Sequence, residues 1–194
     1  MKEARNNFFF LNSAFCVLHS SSSVHNLSMR ILGVDPGSIS TGFGVIDYDR
    51  GRLTLVEQGS IATARGADLA DRLCRIHDEL LAVIRRTSPA AVAVETPFAG
   101  LNMKSLIQLA HARGVVLLAA RTAHLDLFEY APRSVKSAVV GYGAAEKAQV
   151  AKMVRILLPG CASLVMSADA SDALAVAICH AHTSGTTARM KIAR

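Results

Sequence analysis

The sequence predicts an α/β domain built on a mixed five-stranded sheet flanked by helices, and three observations carry that expectation. Short apolar runs alternate with amphipathic stretches from residue 29 onward. The first three runs follow one another with only turn residues between them, the pattern of consecutive antiparallel strands. The later runs are separated by helical periods, as in a sheet fed by crossover connections.

The elements follow in order. Residues 30–34 form an apolar strand that ends on Asp35. Pro36, Gly37 and Ser38 then make a turn, proline presetting one dihedral and glycine supplying another conformation. Residues 41–47 read as a second strand, and Asp49-Arg50-Gly51-Arg52 as a hairpin turn into a third over residues 53–61. Leu69, Leu73, Ile76, Leu80 and Val83 recur at spacings of four and three, the stripe of an amphipathic helix that Pro89 ends. Residues 91–94 are continuously apolar, as expected of a strand buried on both faces, and close on Glu95. Residues 102–121 form a long helix and residues 127–131 a fifth strand before Pro132. Two further helices, about residues 144–157 and 168–181, finish the domain.

A chain of 194 residues with 51% hydrophobic and 19% charged residues is long enough for one domain with a sizeable core. Tryptophan is absent and aromatics make up 5%, so that core is aliphatic. The domain is expected over residues 29–182, with residues 183–194 as a flexible basic tail. Residues 1–28 read as a disordered or non-native extension. Phe8-Phe9-Phe10-Leu11 behind Lys2 and Arg5 imitates a secretory signal, but Asn12 and Ser13 interrupt it and no small-x-small cleavage site follows. Cys16, Cys74, Cys161 and Cys179 are widely spaced, with no Cys-x-x-Cys pair for zinc or redox chemistry. Cys74 and Cys179 fall in helical patterns as buried thiols, and a reducing cytoplasm is the expected location.

Charge and the placement of acids point to function. Residues 133–194 carry eight Lys or Arg against three acids, whereas residues 1–132 carry thirteen against twelve, an asymmetry that favours a polyanionic partner. Asp35 and Glu95 each close an apolar strand, and Asp169 and Asp172 open a helix. A carboxylate at the end of a buried strand is costly to desolvate without a partner. A divalent cation is one such partner, and hard oxygen ligands suit magnesium. Singly, each acid has a plainer reading: Asp35 as a turn residue, Asp169 as an N-cap, Asp172 as a first-turn acid favoured by the helix dipole. Together, with Glu95 at a strand end, they read as a metal site.

The same residues resemble a known family. Ile31-Leu32-Gly33-Val34-Asp35-Pro36-Gly37-Ser38, Val94-Glu95-Thr96-Pro97-Phe98 and Gln108-Leu109-Ala110-His111-Ala112-Arg113-Gly114 are similar to segments of RuvC-type Holliday junction resolvases. So are Glu129 to Lys136, Gly141 to Lys147, and Ala168-Asp169-Ala170-Ser171-Asp172-Ala173-Leu174-Ala175. The resemblance covers residues 29 to about 182, in order. It implies a ribonuclease H-like fold and a structure-selective crossover junction endodeoxyribonuclease acting in recombination and repair by symmetric paired nicks. It also implies two Mg²⁺ ions held by Asp35, Glu95, Asp169 and Asp172, with Mn²⁺ as a substitute. Lys136 and Lys147, joined by Arg133, match basic positions that approach DNA, and Phe98 an aromatic that stacks on bases near the cut. Four-way junction DNA, a homodimer and a RuvA–RuvB complex are the implied partners. The helix over residues 102–121, through Leu106, Leu109, Ala110 and Gly114, is the expected dimer face. Two other readings are a junction-binding protein without cleavage, against which the four acids speak, and an actin-like kinase or ATPase half-domain. The latter needs two such halves, and this chain has one.

Overall fold

The computed structural model describes residues 28–97, 103–161 and 164–192, with side chains described as far as residue 184. Strands β1 (Ser28–Asp35), β2 (Ser40–Asp49) and β3 (Arg52–Ala62) are followed by α1 (Leu69–Thr87), β4 (Ala91–Glu95), α2 (Met103–Thr122) and β5 (Asp126–Tyr130). Helices α3 (Pro132–Val140), α4 (Lys147–Leu157) and α5 (Ala168–Ile192) complete the chain, with one 3-10 turn at Pro159–Cys161. The sheet order is β3-β2-β1-β4-β5. β1 to β3 pair antiparallel, while β1–β4 and β4–β5 are parallel, so β1 is central and the sheet is mixed.

Alternation along the strands sorts residues onto two faces. Leu32, Val34, Val92 and Val94 pack toward α1 and α2, with Ile76, Leu80, Val83, Ala112 and Val116. Ile31 and Ala93 face the opposite layer with Val135, Val150, Val154, Leu174 and Ile178 from α3, α4 and α5. Asp35 and Glu95 follow Ile31 and Ala93 in that alternation, so both carboxylates turn toward α5.

The seat of α5 is set by glycine. A Cβ on Gly33 would stand 2.1 Å from the Ala173 carbonyl oxygen, and one on Gly42 would stand 2.0 Å from that of Asp169. The helix therefore rests on bare strand backbone. Its start is capped by Ser167, whose Oγ accepts from the Ala170 N–H at 3.2 Å. The β1–β2 turn is braced by Thr41, whose Oγ1 accepts from the Gly37 N–H and donates to the Gly37 carbonyl. Arg30 donates to Asp47 and to the Thr87 carbonyl, tying β1 to β2 and to the end of α1.

Several boundaries differ from expectation. α3 was not anticipated: Pro132 reads as a strand stop, but it occupies the first turn of a helix, where its missing N–H costs nothing. α4 starts at Lys147 rather than residue 144, because Glu146 and Gln149 form a capping box there. α5 continues to Ile192, so residues 183–192 are helical where a tail was expected. Cys74 is exposed rather than buried. The expected extension lies outside the described residues up to residue 27, and Ser28 opens β1.

Because the Gly33 contact is backbone against backbone, Gly33→Ala is expected to destabilise the domain by about 3 kcal/mol, the upper end for overpacking. Denaturant unfolding reads this, and a loss below ~1 kcal/mol would mean that α5 can lift without penalty.

Candidate active site

The parallel register of β1 and β4 sets Val34 beside Val94, so the next residues, Asp35 and Glu95, end neighbouring strands side by side. Asp172, one helical turn into α5, faces them from above. These three acids line a cavity of about 820 Å³ at the carboxyl ends of the parallel strands, the usual place for a site in an open α/β sheet. Arg133 and Lys136 from α3, Lys147 from α4, and Arg113 from α2 line the same cavity, with Thr96, Pro97, Leu109 and Val135.

The electrostatics show strain between like charges. Burial, and then the nearby charges of Glu95 and Asp172, push the Asp35 carboxyl up to about 8. A side-chain hydrogen bond joins Asp35 to Glu95, whose own carboxyl is raised by burial and by Asp172. Lys147 Nζ lies 2.8 Å from Asp172 Oδ2, and that hydrogen bond holds the lysine above its ordinary value. Lys147 is thus only a partial counter-charge to the three acids. Perturbed acids in a cleft are a common mark of a working site.

Asp169 stands apart. It is in the first turn of α5, but its carboxylate accepts a hydrogen bond from Ser40 Oγ and does not line the cavity. Among the described residues no three carboxylate, imidazole or thiol groups are gathered as a ready ligand set for one ion. The plainer readings also lose ground, since Ser167 rather than Asp169 caps α5 and Thr41 rather than Asp35 braces the turn. The donor set suits a hard divalent cation: buried carboxylate oxygens with too little positive charge among them. Phe98 falls in residues 98–102, which lie outside the described residues.

Arg113 was not singled out as a site residue by sequence reasoning. Its Nη2 pairs with Glu129 Oε1 at 2.6 Å across α2 and β5, while its buried Nε has no hydrogen-bond partner. The only signal in sequence was Glu129, another acid near a strand end, whose partner is sixteen residues away on a neighbouring element.

Known proteins resemble this chain over most of its length. Residues 31–180 match the family model described as crossover junction endodeoxyribonuclease RuvC. A protein of that description from Paramagnetospirillum magneticum is 51% identical over 166 residues, covering 86% of this chain and 98% of the relative. One from Myxococcus xanthus is 53% identical over 152 residues, covering 78% and 80%. Among solved structures, Thermus thermophilus RuvC in complex with a Holliday junction substrate superposes with a TM-score of 0.76 at 34% identity, covering 82% of this chain and 96% of that one. The yeast mitochondrial Holliday junction resolvase shares the fold, with a TM-score of 0.62 at 12% identity.

The raised Asp35 carboxyl has a consequence for stability. Between about pH 4 and pH 8 the folded chain holds a proton that the unfolded chain has released, so metal-free stability falls as pH rises through that window. Melting temperatures in chelator should decline from pH 5 to pH 8, and Asp35→Asn should flatten the decline and raise the value at pH 8. A variant that melts lower than wild type at pH 8 would contradict the charge strain.

Proposed function

The chain belongs to the crossover junction endodeoxyribonuclease RuvC family, and from that premise we propose that it resolves four-way DNA junctions as a magnesium-dependent endonuclease, by symmetric paired nicks. The observation that carries this reading is the cavity floor of Asp35, Glu95 and Asp172 beneath the basic rim of Arg133, Lys136 and Lys147.

Two divalent ions, when bound, supply the positive charge that activates a water and steadies the leaving 3′ oxygen of a phosphodiester. The chain's own part is to hold and orient. Asp35, on the central strand, faces both Glu95 and Asp172 and is the acid suited to bridge. Asp169, held by Ser40 three residues before Asp172, would complete the acid set if its carboxylate turned to the cavity. Arg133 and Lys136 offset backbone phosphates at the rim and fix the strand over the acids. Phe98 as the base-stacking residue rests on the family resemblance.

A four-way junction presents two scissile strands related by a near-twofold axis, which a twofold dimer matches with one site each. The outward face of α2 supports that reading. Met103, Ile107 and Leu118 are exposed apolar residues, Ala110 and Gly114 are exposed small ones, and Leu106 is half-buried. Leu109 instead lines the cavity. A RuvA–RuvB complex as the source of the junction, action in recombination and repair, and a cytoplasmic location belong to the same proposal. Among the described residues no helix is long and apolar enough to cross a membrane.

The deciding experiment incubates the full chain with a synthetic four-way junction, with and without magnesium, and resolves the strands on a denaturing gel. Paired nicks at symmetric positions are expected only with the metal. Glu95→Gln should bind the junction and leave it uncut, and undiminished cutting would remove Glu95 from the site. Lys136→Ala should weaken binding and flatten the slope of log K against log salt by about 0.9, one phosphate contact. An unchanged slope would return Lys136 to the solvated surface.

A further inference from the structure

We infer that Lys147 is an internal counter-ion that occupies Asp172 in the DNA-free protein and must leave it before a divalent metal can bind, so that metal and junction load the site together. The inference rests on the proposed metal role of Asp172.

The contact is direct, Nζ to Oδ2 at 2.8 Å, and it joins the first residue of α4 to the second turn of α5. The two partners are unequally held. The Lys147 side chain is 81% exposed and that of Asp172 21%, so the lysine is the member free to move. Its four-carbon stem lets the ammonium travel several ångströms without disturbing α4, and an ion pair this exposed is weak enough to exchange. An ammonium and a divalent ion need the same carboxylate lone pairs. The lysine also acts on Asp35 and Glu95 through space, so its departure is felt across the whole acid cluster.

DNA supplies the reason to leave. A backbone phosphate at the cavity mouth offers Lys147 an alternative anion. Once the lysine has moved, Asp172 is open to metal. The coupling is reciprocal: bound junction tightens metal, and bound metal tightens junction by the same factor.

The test measures Mn²⁺ binding to the full chain without DNA, from the electron paramagnetic resonance signal of free Mn²⁺. If Lys147 holds Asp172 about nine-tenths of the time, Lys147→Met should bind Mn²⁺ about tenfold more tightly than wild type. Lys136 lines the same cavity and acts on Glu95 only through space, so Lys136→Met reports the effect of lost charge alone and should gain much less. Lys147→Arg, which retains a cation on Asp172, should stay near wild type. A Lys147→Met affinity no greater than that of Lys136→Met overturns the inference while leaving the metal site intact. Asp172→Asn should weaken Mn²⁺ binding. If it binds as wild type does, the metal role of Asp172 fails, and the competition fails with it.

Discussion

The contact on which the rest of this structure depends is that of α5 with the bare backbone of β1 and β2. Helices ordinarily ride on a sheet at a distance set by the side chains between them. Here Gly33 and Gly42 remove those side chains, and the carbonyls of Ala173 and Asp169 fill the space a Cβ would occupy. That lowers the first turns of α5 onto the central strand and brings Asp172 over Asp35. The lateral neighbour is fixed by another main-chain constraint, the parallel register that ends β1 and β4 on Asp35 and Glu95. Three acids distant in sequence thus converge through backbone packing.

Such convergence costs stability. Burial of these strand-end carboxylates, and then the charges of their neighbours, raise Asp35 and Glu95. The fold tolerates this because the same strands bury Leu32, Val34, Val92 and Val94 completely on their other face. The apolar half of each strand offsets what the acidic end gives up. Local rules broken at one place and compensated elsewhere are expected where a site has work to do.

Much of this was legible in the sequence, for physical reasons that differ by element. The five strands stood out because their apolar runs end at acids, glycines and prolines, and residues 91–95 matched β4 to the residue. α1 was plain from its one-sided stripe. α3 was hidden because Pro132 both ends a strand and begins a helix, and that helix is only nine residues long before Gly141 stops it. The identities of the acids could be read, but not their partners. Ser40 and Asp169 are 129 residues apart, and Lys147 and Asp172 are 25 apart on separate helices. Sequence spacing shows which residues share a helix face. It does not show which oxygen a lysine will choose.

Two ion pairs of the same chemistry make that distinction concrete. Arg113 is half-buried at 24% exposed and Glu129 is exposed at 38%, and the two are joined at 2.6 Å between a helix and a strand. The planar guanidinium gives Glu129 a partner on a neighbouring element. Lys147 on Asp172 has the same charges but rides on the exposed first residue of α4, with a point-like cation on a flexible stem. Arg133 and Lys136 lie on α3, again outside the elements that carry the acids. The cavity therefore has an anionic floor fixed by the sheet and α5, and a cationic rim on separate helices. A DNA backbone entering between them meets mobile positive charge first and fixed negative charge second. On the proposed reading, Lys147 is the member of that rim whose movement would open Asp172 to a metal.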